Sequence, residues 1–524
     1  MILPTPISML CKQLTCCLLA IVIAVISTNT AKAEAEDGEV MRTDADPTLR
    51  AWGKEYPLYV DMYMQMQDTS KPTEYGGNTP YSKLIRYPQL VELWAGYAFA
   101  HDFNEERGHY YSQIDQYETK RNDKQFLNER GLTKFKGQPG ACMNCHSGWV
   151  PELIRELGWA NFNRTPYWDI VSKLKKDHGE GIHGSELGST CADCHNADDM
   201  SLRVTRPAYI NAMAGRGYET DPRFGLKATQ QEMRDHVCKQ CHVEYYFLGE
   251  DKILTFPWAN WPKDKPLKIE MIEAYYDNAY ETGAFKADWT HATTKAPMLK
   301  MQHPEAEMTS SGRHTRDGVS CVDCHMPVIE RGGEKVTDHT IDSPLNDLIA
   351  CKSCHAHESQ SEKDIRKMVS DVQRHTASEL KNAELAILAL INDIKEVRSE
   401  LAQHSQFKNI NKEDEKQAAI STAIEPALMM HRRASMRWDY VSAENSTGVH
   451  SPREAWRVLD DAEDLARQGQ LLLNEAAAKY DVQFRMTSQG PIPAPPPVLH
   501  PGNIVGSMPP EITVSADDQC AVPE

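Results

Sequence analysis

Apolar residues fall into three regimes along this chain. The first is brief: Lys12 precedes an unbroken apolar run from Leu18 to Ile26, and Ala31-Lys32-Ala33 follows. A basic start, a short apolar stretch and a small-x-small site predict a secretory signal peptide over residues 1–33, cleaved near Ala33. The run is too short for a stable membrane-spanning helix. The last regime is periodic. Leu380, Ile387, Ile394 and Leu401 recur every seven residues, with Ala383, Leu390 and Val397 between them. That spacing predicts a helix with a seam for another helix. A second helix is expected over about 414–443, kinked at Pro426. A third opens at Ser451-Pro452-Arg453-Glu454, read as a capping box with Pro at the first helical position. Its stripe runs through Val458, Leu459, Ala462, Leu465, Ala466 and Leu472. The seam would serve an intramolecular bundle or a homodimer contact equally well. Residues 359–489 therefore form a long-helix region, and the Pro-rich stretch Pro491 to Pro497 opens a tail, 490–524, with no expected order.

The middle regime, 34–358, is organised by cysteine. Five Cys-x-x-Cys-His motifs occur there, with His146, His195, His242, His325 and His355 closing them. Their cysteines are Cys142 and Cys145, Cys191 and Cys194, Cys238 and Cys241, Cys321 and Cys324, and Cys351 and Cys354. Two thiols at this spacing add across the vinyl groups of one haem, and the adjacent histidine reaches its iron. One such motif could be a zinc or redox site, but five on one exported chain predict a pentahaem c-type cytochrome. No Gly/Ser-rich linker separates the motifs, and no longer repeat surrounds them. The expected fold is mostly α: a haem-packed domain of helices and long loops, followed by long C-terminal helices.

Charge and cysteine count add limits. The formal net charge of −18 argues against nucleic acid as a partner, and an anionic substrate would need a locally built positive field. Of 14 cysteines, Cys11, Cys16 and Cys17 fall in the leader and ten in the motifs, leaving Cys520 as a free thiol in the tail. No pair remains for a structural disulfide. The 20 histidines suffice either for an electron carrier, with two ligands on every iron, or for an enzyme that leaves one iron open.

Two segments bear on that choice: Val243-Glu244-Tyr245 and Lys300-Met301-Gln302-His303-Pro304-Glu305. Glu244 and Gln302 offer hard oxygen donors suited to Ca²⁺. Tyr245 and His303 offer a donor and a proton carrier, although a ring packed on haem and a sixth iron ligand are their plainer roles. These segments, the five motifs, Asp102 to His109, Glu118-Thr119-Lys120-Arg121 and Gly448-Val449-His450-Ser451-Pro452 resemble the ammonia-forming cytochrome c nitrite reductases, a periplasmic pentahaem family. The resemblance implies six-electron reduction of nitrite at haem 1, with Arg121, Tyr245 and His303 over its open face. It implies Ca²⁺ held by Glu244, Gln302 and the main-chain carbonyls of Tyr245 and Lys300. It pairs His195 with His339, His242 with His109, His325 with His450 and His355 with His314. His431 is a rival to His450. The resemblance further implies a periplasmic or membrane-anchored, quinol-linked multihaem electron donor, and a homodimer is expected. Most of the family carries Lys where this chain has His146; some use His. A non-catalytic electron carrier is the competing reading, and a hydroxylamine oxidase is disfavoured by the motif count.

Overall fold

The computed structural model describes residues 46–133, 137–178, 186–355 and 361–494. The expected signal peptide, its three cysteines, and the tail from 495, with Cys520, lie outside the described residues. The chain is mostly helical, and its architecture follows from two kinds of core.

The C-terminal core is made of side chains. A 42-residue helix, Glu362–Gln403, starts at a Ser361–Asp364 capping box in which each side chain bonds the other's backbone N–H. Ala383, Ile387, Leu390, Ile394, Val397 and Leu401 are all fully buried along its seam. The seam is filled from within the chain, by helices Glu425–Ser442 and Pro452–Ala478. Pro426 breaks the second predicted helix rather than kinking it. Helix Glu413–Ala423 ends at Ile424, and Glu425–Ser442 begins with proline in its first turn. Proline fits there because a first-turn N–H has no helical partner to lose.

The capping box expected at Ser451 does not form: Pro452 starts the helix, but the Ser451 side chain makes no cap bond. Glu454 bonds Arg457 at 2.7 Å and lies 3.5 Å from Lys268, so its carboxylate is turned away from the helix start.

The region before residue 356 is built differently. Its helices are short, and loops connect them. Five two-stranded antiparallel ribbons add local order among the described residues, a feature not expected from the sequence. The longest pairs Val328–Arg331 with Glu334–Thr337, and another pairs Tyr246–Leu248 with Ile253–Thr255. Short turns of helix carry the motifs: Gly140–Cys145, Cys191–Asp193, Gln230–Lys239, Cys321–His325 and Ile349–His355. Two of these turns are capped alike. Thr190 pairs with Asp193 and Ser320 with Asp323, so the residue before the first cysteine and the aspartate between the cysteines lock the turn. No helix among the described residues is long and apolar enough to cross a membrane.

Candidate haem and substrate site

All ten motif cysteines line one continuous cavity of about 2880 Å³. None of the ten is in a disulfide. The motifs touch one another. The Cys145 thiol contacts Cys241, and Cys238 contacts Cys321. Gln240 Nε2 donates to the Asp193 carbonyl at 2.9 Å, which sets the second motif against the third. Arg206, fully buried, ties the first two motifs: Nη2 donates to Ser147 O at 2.9 Å, Nε to the Asn144 carbonyl, and the guanidinium pairs with Asp193.

Histidines face each other across this cavity in pairs drawn from distant segments. Ring centroids are 6.1 Å apart for His195 and His339, 6.0 Å for His242 and His109, 6.3 Å for His325 and His450, and 6.2 Å for His355 and His314. Two imidazoles bound to one iron through Nε2, at about 2 Å each, put their centroids about 6 Å apart. The outer nitrogens are held by the protein. His195 Nδ1 meets Met200 O at 2.8 Å and His339 Nδ1 meets Thr337 O at 2.8 Å, which turns both Nε2 atoms inward. His339 Nε2 is buried with no hydrogen-bond partner among the described residues, as an atom reserved for a metal would be. His450 Nδ1 meets the buried Glu444 carboxylate at 2.9 Å. Gly448, at φ +86°, approaches Thr376 so closely that any Cβ would clash with it, and the loop carrying His450 depends on that contact. These contacts fit haem at four of the motifs. His431, the rival to His450, lies elsewhere: its ring is 5.0 Å from His291 and its Nδ1 meets Thr294 Oγ1 at 3.1 Å.

The first motif is different. Among the described residues no second histidine ring faces His146 at the 6 Å spacing; its Nε2 meets the Gln116 side-chain amide at 3.3 Å. Around this motif the cavity is lined by Arg121, Tyr245, His303 and Glu106. Arg121 is anchored by an Nη1 bond to Asp102 O at 2.8 Å and lies 4.0 Å from the Phe99 ring centroid. The Asp102 carboxylate holds the preceding turn by accepting from Lys120 N at 2.7 Å and Thr119 Oγ1 at 3.0 Å. Burial lowers the Arg121 and His303 pKa values and raises that of Tyr245. The histidine is therefore poised neutral and the phenol protonated at neutral pH. Burial alone would raise the Glu106 carboxyl, but His303, His146, Lys83 and Arg121 hold it below its usual value. Glu106 also acts electrostatically on Tyr245. One carboxylate is thus shared by all three predicted pocket residues. His303 also lies 6.5 Å from the His242 ring, between the first and third motifs.

Glu244 and Gln302, distant in sequence, meet behind this pocket. Glu244 is fully buried, and its carboxylate accepts from Gln302 N at 2.7 Å and Tyr276 OH at 3.3 Å. Burial pushes its pKa well up. Burial likewise pushes Asp288 up to about 6 and Glu307 up to about 7. Arg432 and Lys300 act on Asp288 and Arg216 on Glu307, while Lys300 is itself engaged by Asp439 at 2.9 Å and by the Met301 carbonyl. Among the described residues no three acidic side chains converge as a metal cluster, so a hard divalent ion here would rest on Glu244, the Gln302 side chain and main-chain carbonyls. Asp439, from the C-terminal helices, also accepts from Met301 N at 2.8 Å, so the bundle holds the 300–303 strand in place.

Sequence reasoning did not single out Arg206, Glu106, Asp288, Glu307 or Asp439. Only Glu106 left a trace, inside the Asp102 to His109 segment.

A mostly helical chain that gathers repeated Cys-x-x-Cys-His motifs around one cavity, with histidines facing in pairs, is a multihaem c-type cytochrome. The model of the cytochrome c552 family matches residues 48–496, and the chain belongs to that family. Cytochrome c-552 of Bacteroides fragilis (strain YCH46) is 35% identical over 442 residues, covering 84% of this chain and 79% of that protein. Cytochrome c-552 of Parabacteroides distasonis is 36% identical over 440 residues, covering 84% and 78%. Among solved structures, the cytochrome c nitrite reductase catalytic subunit of Desulfovibrio desulfuricans ATCC 27774, a protein with two calcium sites, aligns with TM-score 0.69. It is 27% identical, and the match covers 84% of this chain and 88% of that one.

Proposed function

We propose that this chain is an exported, pentahaem, ammonia-forming nitrite reductase whose substrate binds beside the first motif. The observation that carries the reading is the asymmetry of the histidines. Four motif histidines face a second ring at 6.0–6.3 Å, while among the described residues none faces His146, which has Arg121, Tyr245 and His303 around it instead. The structural likeness to a cytochrome c nitrite reductase supports the same reading.

Bound haem would supply the coordination position for nitrogen and the route for electrons. Reduction of nitrite to ammonium and two waters consumes six electrons and eight protons, so this chain's own residues must manage charge and protons. The Arg121 guanidinium attracts and orients the anion in a protein of net charge −18. His303 hydrogen-bonds a nitrite oxygen and passes protons to it as each N–O bond breaks. Tyr245, kept protonated by burial, donates to later nitrogen species. Glu244, Gln302 and the main-chain carbonyls of Tyr245 and Lys300 would hold Ca²⁺, which adds positive charge and fixes the two segments bearing Tyr245 and His303. His195, His242, His325 and His355, with His339, His109, His450 and His314, would give two ligands to each remaining haem. Contacts of the third motif with the first, second and fourth support it as the junction for electrons. The electron donor is a quinol-linked multihaem protein at or near the membrane, the compartment is the periplasm after cleavage near Ala33, and the assembly is a homodimer.

The test is stoichiometric. Haem-loaded protein supplied with a reduced viologen dye should consume six electrons per nitrite and yield one ammonium. Nitrite should also abolish a high-spin ferric signal in the resting protein. Only low-spin haems, unresponsive to nitrite, would make the chain an electron carrier.

A further inference from the structure

Glu444 lies just past the helix Glu425–Ser442, and its side chain is fully buried. The loop that follows folds back on the carboxylate. Ser446 N donates to it at 3.1 Å, Ser446 Oγ at 2.8 Å and Gly448 N at 2.7 Å. His450 Nδ1 completes the set at 2.9 Å. Ser446 Oγ also accepts from His450 N at 2.9 Å, so the loop fixes the backbone of His450 as well as its ring. Asn445 anchors the loop to Glu305 Oε1, through N at 3.2 Å and Nδ2 at 2.9 Å. Two backbone N–H groups, a hydroxyl and an imidazole keep a buried carboxyl ionised.

The other paired histidines are held differently. Among the described residues, His450 is the only one of the eight whose Nδ1 has a carboxylate at hydrogen-bond distance. His195 and His339 meet main-chain carbonyls, which carry no charge. His242 Nδ1 is 4.0 Å from Glu305, too far for a hydrogen bond.

A ligand histidine that donates Nδ1–H to an anion becomes more basic at Nε2. A stronger donor to iron favours the ferric over the ferrous state. A buried negative charge nearby opposes an added electron in the same sense. We propose that Glu444 sets the redox potential of the haem at the fourth motif: it draws on His450 Nδ1–H, strengthens Nε2 as a donor and holds that iron toward the oxidised state. Glu444 acts through His450, so it is a positioning residue. The inference rests on the reading above that His325 and His450 ligate one haem. The fourth motif touches the third through Cys321 and Cys238, and its helix Cys321–His325 packs on Ile349–His355 of the fifth. An electron arriving at the fourth haem is therefore passed to a neighbour rather than kept.

The experiment is potentiometric titration of the haem-loaded protein, with the haems followed by absorbance and low-temperature EPR. Glu444→Gln should make one low-spin haem easier to reduce, changing its ferric-over-ferrous preference about tenfold or more; each tenfold is about 59 mV for a one-electron couple. A purely structural role would move the thermal midpoint and leave the potential in place. His450→Ala identifies the haem: it should turn one low-spin haem high-spin and remove the component that Glu444→Gln shifts. Where Glu444→Gln yields no haem-loaded protein, Glu444→Asp decides. It keeps the charge but draws it back from His450 by one methylene, and should shift the same haem in the same direction. An unshifted potential in the deciding variant, with His450→Ala high-spin, overturns the proposal and leaves the ligand assignment standing. If His450→Ala leaves every low-spin haem intact, the ligand assignment falls and the proposal falls with it.

Discussion

At the scale of single residues, the proposed function separates groups that would act on substrate from groups that hold others in place. His303→Ala and Arg121→Ala should each lower nitrite turnover about a hundredfold or more, with haem content unchanged. Steady-state assay and the haem absorbance check this. A low-spin haem turned high-spin by His303→Ala would instead make His303 an iron ligand. Arg206 belongs to the second group. Its removal strands the buried Asp193 carboxylate between two motifs, and losing one partner of a buried pair costs about 3–5 kcal/mol. Arg206→Met should therefore shift denaturant unfolding of the haem-loaded protein by that amount.

At the scale of elements, close packing outweighs propensity. Gly469 lies inside the 452–478 helix, where a Cβ would come within 2.7 Å of Leu390 Cδ2 and 3.1 Å of Met430 Cβ. Gly469→Ala would gain about 1 kcal/mol of helix propensity and lose about 1–3 kcal/mol to overpacking. Net destabilisation is expected, read from the thermal midpoint. The same elements show what a sequence can disclose. The seam from Ala383 to Leu401 was legible because a helix writes its buried face into local spacing. The Ser451 box was misread because Arg457 and Lys268, one of them far away in the chain, compete for the Glu454 carboxylate. The Cys-x-x-Cys-His motifs announce haem outright. Their facing histidines do not, since two rings across an iron come from unrelated segments and leave no spacing rule; His109, His314, His339 and His450 came from family resemblance. Glu244 and Gln302 stood out in the sequence as hard oxygen donors, whereas Asp288, Glu307 and Asp439 carry no local mark at all.

At the scale of the whole molecule, the buried carboxylates around Glu244 link stability to pH and, under the proposed function, to Ca²⁺. Asp288 at about 6 and Glu307 at about 7 are raised above the usual carboxyl value of about 4. The folded chain then holds protons that the unfolded chain releases. Without a cation, the stability they contribute is complete below about pH 4 and is lost as pH rises through about 6 to 7. Chelator-treated protein should melt at lower temperature at about pH 8 than at about pH 5, and Ca²⁺ should remove most of that difference. Equal slopes with and without Ca²⁺ would place the ion away from these carboxylates.

The contacts between Cys145 and Cys241, and between Cys238 and Cys321, bear on the order of biogenesis. Thiols from different motifs become neighbours only once the polypeptide is folded. In an oxidising compartment such neighbours can be cross-linked, and a cross-linked pair can no longer accept its porphyrin. If the chain matures in the oxidising compartment proposed for it, attachment must precede folding. A chain that collapses first would be a dead end.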